Sequence, residues 1–127
     1  MSHTVLIVDD SKLARLVVAK ALTALRPDWT RVEAGNAEQA LAVLEQTSVD
    51  IALLDFNMPG IVGLDLAAEL RRKYPTMPIA VITANIQDEI IARAREVDAA
   101  FLPKPITEDA LSGFLSGAAL RLRAAAR

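Results

Sequence analysis

The chain has 127 residues, 53% of them hydrophobic, no cysteine and a formal net charge of −2 at pH 7. That length suits one domain burying roughly two thirds of its unfolded surface, and that apolar share excludes a disordered chain. The charge balance leaves no basic footprint for direct nucleic-acid binding, and the missing cysteines exclude disulfides and thiolate metal sites.

The first element, "TVLIV", is β-branched and unbroken, as a strand buried on both faces requires. It is too short for a signal-peptide core, acids follow it at once, and no other stretch has the length to span a membrane. Membrane insertion is therefore not expected, and the composition fits a reducing cytoplasm. "SKLARLVVAKALTAL" then has helical spacing until Pro27 stops it. If Val17, Val18, Ala21 and Leu22 fill the core from this helix, Leu13 and Leu16 face outward as a small apolar patch, although either leucine taken singly is expected to pack in the core. His3, the single histidine, falls in an N-terminus expected to fray and is not expected to ligate metal or carry phosphate. Trp29 is expected to cover a core edge.

The strand and helix unit then repeats. "TRVEA" leads through Gly35 and Asn36 to "AEQALAVLEQ", and "DIALLD" leads through "FNMPG" to "LDLAAELRRKY". "PIAVITA" leads to "QDEIIARAREV", and "AAFLPKP" to "TEDALSGFLSGAALRLRAAA". Arg121, Arg123 and Arg127 near the end are expected to complement a helix dipole. Five such pairs with short connections imply an α/β fold, a parallel sheet with right-handed crossovers and helices on both faces. No linker, charge block or low-complexity tract divides the chain, so residues 1–127 read as one domain.

In an open parallel sheet, functional residues collect beyond the carboxyl ends of the strands. Asp9 and Asp10 follow the first strand, Asp55 ends the third, Thr83 the fourth, and Lys104 follows the fifth. Each alone has an ordinary explanation: a helix cap, a turn before Pro59 and Gly60, a β-branched strand residue, an exposed lysine. All of them falling at one sheet edge strains those explanations, because buried acids and lysines need partners. Clustered carboxylates repel and call for a cation. Hard oxygen donors without histidine or cysteine suit Mg²⁺, which often partners a phosphoryl group. With a metal and the Lys104 ammonium beside it, Asp55 can attack phosphorus, and Thr83 can donate to a transferring oxygen.

These residues resemble the CheY-like receiver domains of two-component response regulators. "VLIVDDS", "LLDFNMPGIVGLDL", "AVITA" and "FLPKPI" stand in that family's order and spacing over nearly the whole chain. The resemblance implies a flavodoxin-like sheet of order 2-1-3-4-5 and a signalling domain rather than an enzyme. It implies Asp55 as phosphoacceptor, Asp10 as direct Mg²⁺ ligand, Asp9 holding a metal-bound water, and the Asn57 carbonyl completing the protein's share of the shell. It implies that Lys104 and Thr83 contact the phosphoryl oxygens, with small Ala84 keeping the acceptor accessible. It also implies a cis Lys104–Pro105 bond, and Phe101 as the aromatic that turns inward when Thr83 moves. The implied donor is a sensor histidine kinase or phosphotransfer protein, docking along the first helix. The recipient of the signal is an unidentified downstream protein target.

Three positions depart from the family pattern. Val62 replaces the usual acid before the glycine of "GIVGL", "REVDAAFL" lacks the glycine that often closes the fourth helix, and Asn85 stands where the family helps set phosphoryl lifetime. Asn57 bears on lifetime too, and it separates this chain from aspartate-nucleophile phosphatases, which need a second acid two residues past the nucleophile. A nucleotide-binding module would need a glycine-rich first turn, which "VDDSK" lacks. The short tail "RLRAAAR" favours a stand-alone receiver over one excised from a larger regulator or hybrid kinase.

Overall fold

The computed structural model describes residues 2–55, 63–84 and 88–125. Strands and helices alternate throughout: β1 (Thr4–Val8), α1 (Lys12–Leu25), β2 (Thr30–Ala34), α2 (Ala37–Gln46), β3 (Ile51–Asp55), α3 (Gly63–Lys73), β4 (Ile79–Thr83), α4 (Asp88–Glu96), β5 (Ala100–Pro103) and α5 (Glu108–Ala125). All strand pairs are parallel, in the order β2-β1-β3-β4-β5. The unbroken apolar strands β3 and β4 are buried at every position, while β2 at the edge exposes Thr30, Arg31 and Glu33.

Because side chains alternate along a strand, the sheet feeds two cores. Leu6, Val8, Ala52, Leu54 and Val81 meet α2, α3 and α4, whereas Val5, Ile7, Leu53, Ile82 and Leu102 meet α1 and α5. Helix starts follow local chemistry. Ser11 caps α1 by accepting from the Ala14 N–H at 3.1 Å. Asn36 caps α2 through the Gln39 N–H at 2.8 Å, while the Gln39 side chain reaches back to the Gly35 N–H at 2.7 Å. Such reciprocal bonds satisfy donors that the first turn leaves without partners.

Three expectations are corrected. Val17 does not enter the core: it is 54% exposed and joins Leu13 at 71% and Leu16 at 47% on an outward apolar strip. At 100° per residue it lies a full step from Val18 and farther from Ala19 and Leu22, which α1 buries. The N-terminus does not fray at His3. The His3 carbonyl accepts from the Thr30 N–H at 2.9 Å, and its ring meets Trp29 edge-on at 4.9 Å. Trp29 packs on the core edge as expected. Arg121 does not serve only the α5 dipole, since it pairs with Asp98 at 2.8 Å; Arg123 does lie in the last turn of α5.

Asp98 also explains how α4 ends without glycine. It takes φ 54°, a left-handed conformation that aspartate tolerates better than most side chains. The Asp98 N–H then reaches the Arg95 carbonyl at 2.9 Å and the Ala99 N–H reaches the Ala94 carbonyl at 2.8 Å, the paired bonds of a Schellman end.

Candidate functional site

Parallel register brings four strand ends to one edge. Val8 lies beside Leu54 and Asp55 beside Ile82, so Asp9, one residue past β1, comes level with Asp55. Asp9 and Asp55 follow strand parity onto the α1 and α5 side of the sheet. Thr83 ends β4 opposite Pro103, and its carbonyl accepts from the Lys104 N–H at 2.9 Å. The Lys104–Pro105 peptide is cis. From that turn the Lys104 ammonium donates to Asp55 Oδ1 at 2.9 Å.

Asp9, Asp10 and Asp55 each place a carboxylate oxygen within 4.8 Å of the others. Asp55 and Asp9 are buried and Asp10 is exposed. The donor set fits a hard divalent cation: three carboxylates, no imidazole or thiolate, and an open side at Asp10. Ser11 supports the arrangement, its N–H donating to Asp9 Oδ1 at 2.9 Å. Behind the acids the Arg15 guanidinium donates to the Asp9 carbonyl. Nothing in the sequence points to that contact, because the other anchor of Arg15, Glu33, comes from a different strand.

Burial raises the Asp9 carboxyl above its ordinary pKa; the Ser11 N–H opposes this, the Asp55 charge adds to it, and Lys104 opposes it again. An acid held more tightly by its proton in the folded state stabilises the fold fully below its unfolded pKa, and that contribution is lost as pH rises through the raised folded pKa. Asp9→Asn keeps an acceptor for Ser11 and removes the titration. In EDTA it is expected to raise the melting temperature at pH 7 by about 3 °C, with a smaller gain near pH 4. Equal gains at both values, or none at pH 7, would contradict this account.

Thr83 is buried with no exposed surface. Its strand parity with Val81 places it on the face of α3 and α4, where Phe101, register partner of Val81, packs partly buried. The two positions are diagonal neighbours on one face, within side-chain reach of each other. Ala84 beside them is exposed. Asn57, Asn85 and Val62 lie outside the described residues.

Residues 5–115 match the family model of the response regulator receiver domain. The chain belongs to that family. Receiver domains are signalling modules of two-component systems and take phosphoryl groups from histidine kinases. The chain is 40% identical over 118 residues to the positive alginate biosynthesis regulatory protein of Pseudomonas aeruginosa, covering 90% of this receiver and 46% of that protein. It is 36% identical over 121 residues to the sensor histidine kinase RcsC of Salmonella typhi, covering 94% of this receiver and 12% of the kinase. It thus spans about half or less of these curated relatives. Among solved structures it superimposes on chemotaxis protein CheY4 of Vibrio cholerae with a TM-score of 0.83 at 26% identity, covering 93% of this chain and 99% of that one. Among the described residues, no helix is long and apolar enough to cross a membrane.

Proposed function

We propose that this receiver accepts a phosphoryl group on Asp55 and converts it into a change at the face formed by α4, β5 and α5. The observation that carries the reading is the Lys104 ammonium on Asp55 Oδ1 at 2.9 Å, within an acid cluster suited to one divalent cation. Asp10 and Asp55 would hold Mg²⁺ directly, Asp9 would hold it through a water, and the Asn57 carbonyl would complete the protein's share of the site. When bound, Mg²⁺ supplies positive charge to the phosphoryl oxygens. The Asp55 oxygen attacks phosphorus as the bond to the donor's nitrogen or oxygen breaks, and Lys104 moves from the acceptor carboxylate toward the transferred oxygens. Transfer and later hydrolysis both proceed at this site, so the domain supports its own phosphorylation and dephosphorylation. Asn57 and Asn85 tune how long the phosphoryl group lasts. The reading is tested by incubating the protein with acetyl phosphate: labelling of Asp55 should require Mg²⁺ and stop in EDTA.

The donor is a sensor histidine kinase or phosphotransfer protein in the cytoplasm, docking on the apolar strip of Leu13, Leu16 and Val17. Output passes to a downstream protein or to a further domain of the same polypeptide. The curated relatives, which extend well beyond the matched region, keep both routes in view.

Thr83 and Phe101 provide the coupling. A ligand shifts a conformational equilibrium only through a contact it makes better in one state. The Thr83 hydroxyl supplies such a contact by moving to the phosphoryl oxygens, which frees space on its face for Phe101. Thr83→Ala should therefore accept phosphate yet switch poorly. With a beryllofluoride mimic, its amide NMR shifts across residues 88–115 should fall below about half the wild-type response. A full response would sink the coupling.

A further inference from the structure

The Asp10 carboxylate is exposed, so packing does not hold it in place. Its direction is instead inherited from the backbone, and the backbone at that point is gripped by a side chain from α1. Arg15 sits one helical turn past the cap residue Ser11, whose carbonyl accepts from the Arg15 N–H at 3.0 Å. Its guanidinium turns back beneath the loop. Nη1 donates to the Asp9 carbonyl at 2.5 Å, and Nε donates to Glu33 Oε1 on β2 at 3.0 Å. The side chain is only 17% exposed. Gly35 forms part of the slot: a Cβ there would come within 3.6 Å of Nη1.

The Asp9 carbonyl belongs to the peptide plane that leads into Asp10. That plane is rigid, so holding its oxygen restrains the Asp10 nitrogen and Cα, the points from which the Asp10 side chain departs. The preceding peptide is also tied to β2, where the Asp9 N–H donates to the Ala34 carbonyl at 3.1 Å. Glu33 offsets the charge of Arg15, which leaves geometry as the contribution of the fork.

We propose that Arg15, braced by Glu33, is a positioning residue for the metal site, holding the Asp9–Asp10 peptide so that the Asp10 carboxylate faces Asp9 and Asp55. The inference rests on the metal-site reading above. It implies that Arg15 governs how tightly the divalent cation binds and not how fast Asp55 reacts once the cation is saturating. Loss of partners behind metal ligands commonly weakens binding by about tenfold to a hundredfold.

The experiment is an amide NMR titration with MgCl₂ on wild type, Asp10→Asn, Arg15→Met, Arg15→Lys and Glu33→Ala, paired with acetyl phosphate labelling rates at saturating Mg²⁺. Arg15→Met should raise the Mg²⁺ dissociation constant about tenfold while the saturated rate stays within about twofold. Arg15→Lys, which keeps the charge but not the fork, should recover less than half of that loss on a logarithmic scale. Glu33→Ala should weaken binding about threefold, and it decides the matter if Arg15→Met does not fold. Wild-type affinity in Arg15→Met or, should that variant not fold, in Glu33→Ala overturns the proposal. So does full rescue by lysine, or a fall in saturated rate without a change in affinity. If wild type itself shows no Mg²⁺ response that Asp10→Asn removes, the metal reading fails and the brace falls with it. A wild-type response with unaltered Arg15 variants overturns the brace alone.

Discussion

Asparagine at position 55 is expected to abolish labelling by acetyl phosphate, lowering it by at least about a thousandfold, because the amide oxygen is a far poorer nucleophile than a carboxylate. The fold should survive. Asp55→Asn is nearly isosteric, retains an acceptor toward Lys104, and relieves repulsion with Asp9, whose pKa is raised chiefly by burial with the Asp55 charge adding to it. The label on wild type should be released by hydroxylamine, as an acyl phosphate is, which separates it from phosphate on a serine or threonine. Asp55→Asn that labels as well as wild type would remove Asp55 from the acceptor role. Unchanged labelling of the wild type in EDTA would remove the cation from it.

The second large effect is expected far from this site, at the opposite end of the sheet. Arg71, in the last turn of α3, donates to four carbonyls: Val97 at 3.0 Å, Asp98 at 2.9 Å, Pro75 at 2.9 Å and Tyr74 at 3.3 Å. One planar fork thereby satisfies the end of α4 and the loop after α3, and Arg121 joins from α5 through Asp98. Burial pulls the Arg71 pKa below its ordinary value, with the Arg121 charge adding and Asp98 opposing, and the group stays charged throughout the working pH range. Arg71→Met keeps much of the alkyl stem and removes every donor. It should cost about 2 kcal/mol in urea unfolding with an unchanged m-value, or roughly 8 °C in melting temperature. Lysine should recover less than half, since a point donor cannot span four acceptors. A loss under about 0.5 kcal/mol would show that water replaces the fork without penalty.

Periodicity alone determined the element order. The β-branched runs "TVLIV" and "PIAVITA" must be strands buried on both faces, and the helical repeats between them force parallel crossovers. The same order sent Asp9, Asp55, Thr83 and Lys104 to one edge, since polar groups at the ends of parallel strands share it by construction. These local patterns repeat with the period of the element itself, so one sequence suffices to read them.

What escaped the sequence was set by partners far along the chain. Val17 and Val18 are equally apolar, and only the docking of α1 beside α5 decides which one faces solvent. His3 is ordered because Trp29 and Thr30 arrive next to it from another turn of the chain. Asp98 replaces the missing glycine at the end of α4, a conformation made tolerable by the Schellman bonds and by Arg71 and Arg121 from two other helices. Arg15 reads as an ordinary polar residue of an amphipathic helix until β2 brings Glu33 beside it. Side chains whose roles depend on non-local partners carry no local period, so only the tertiary structure assigns them.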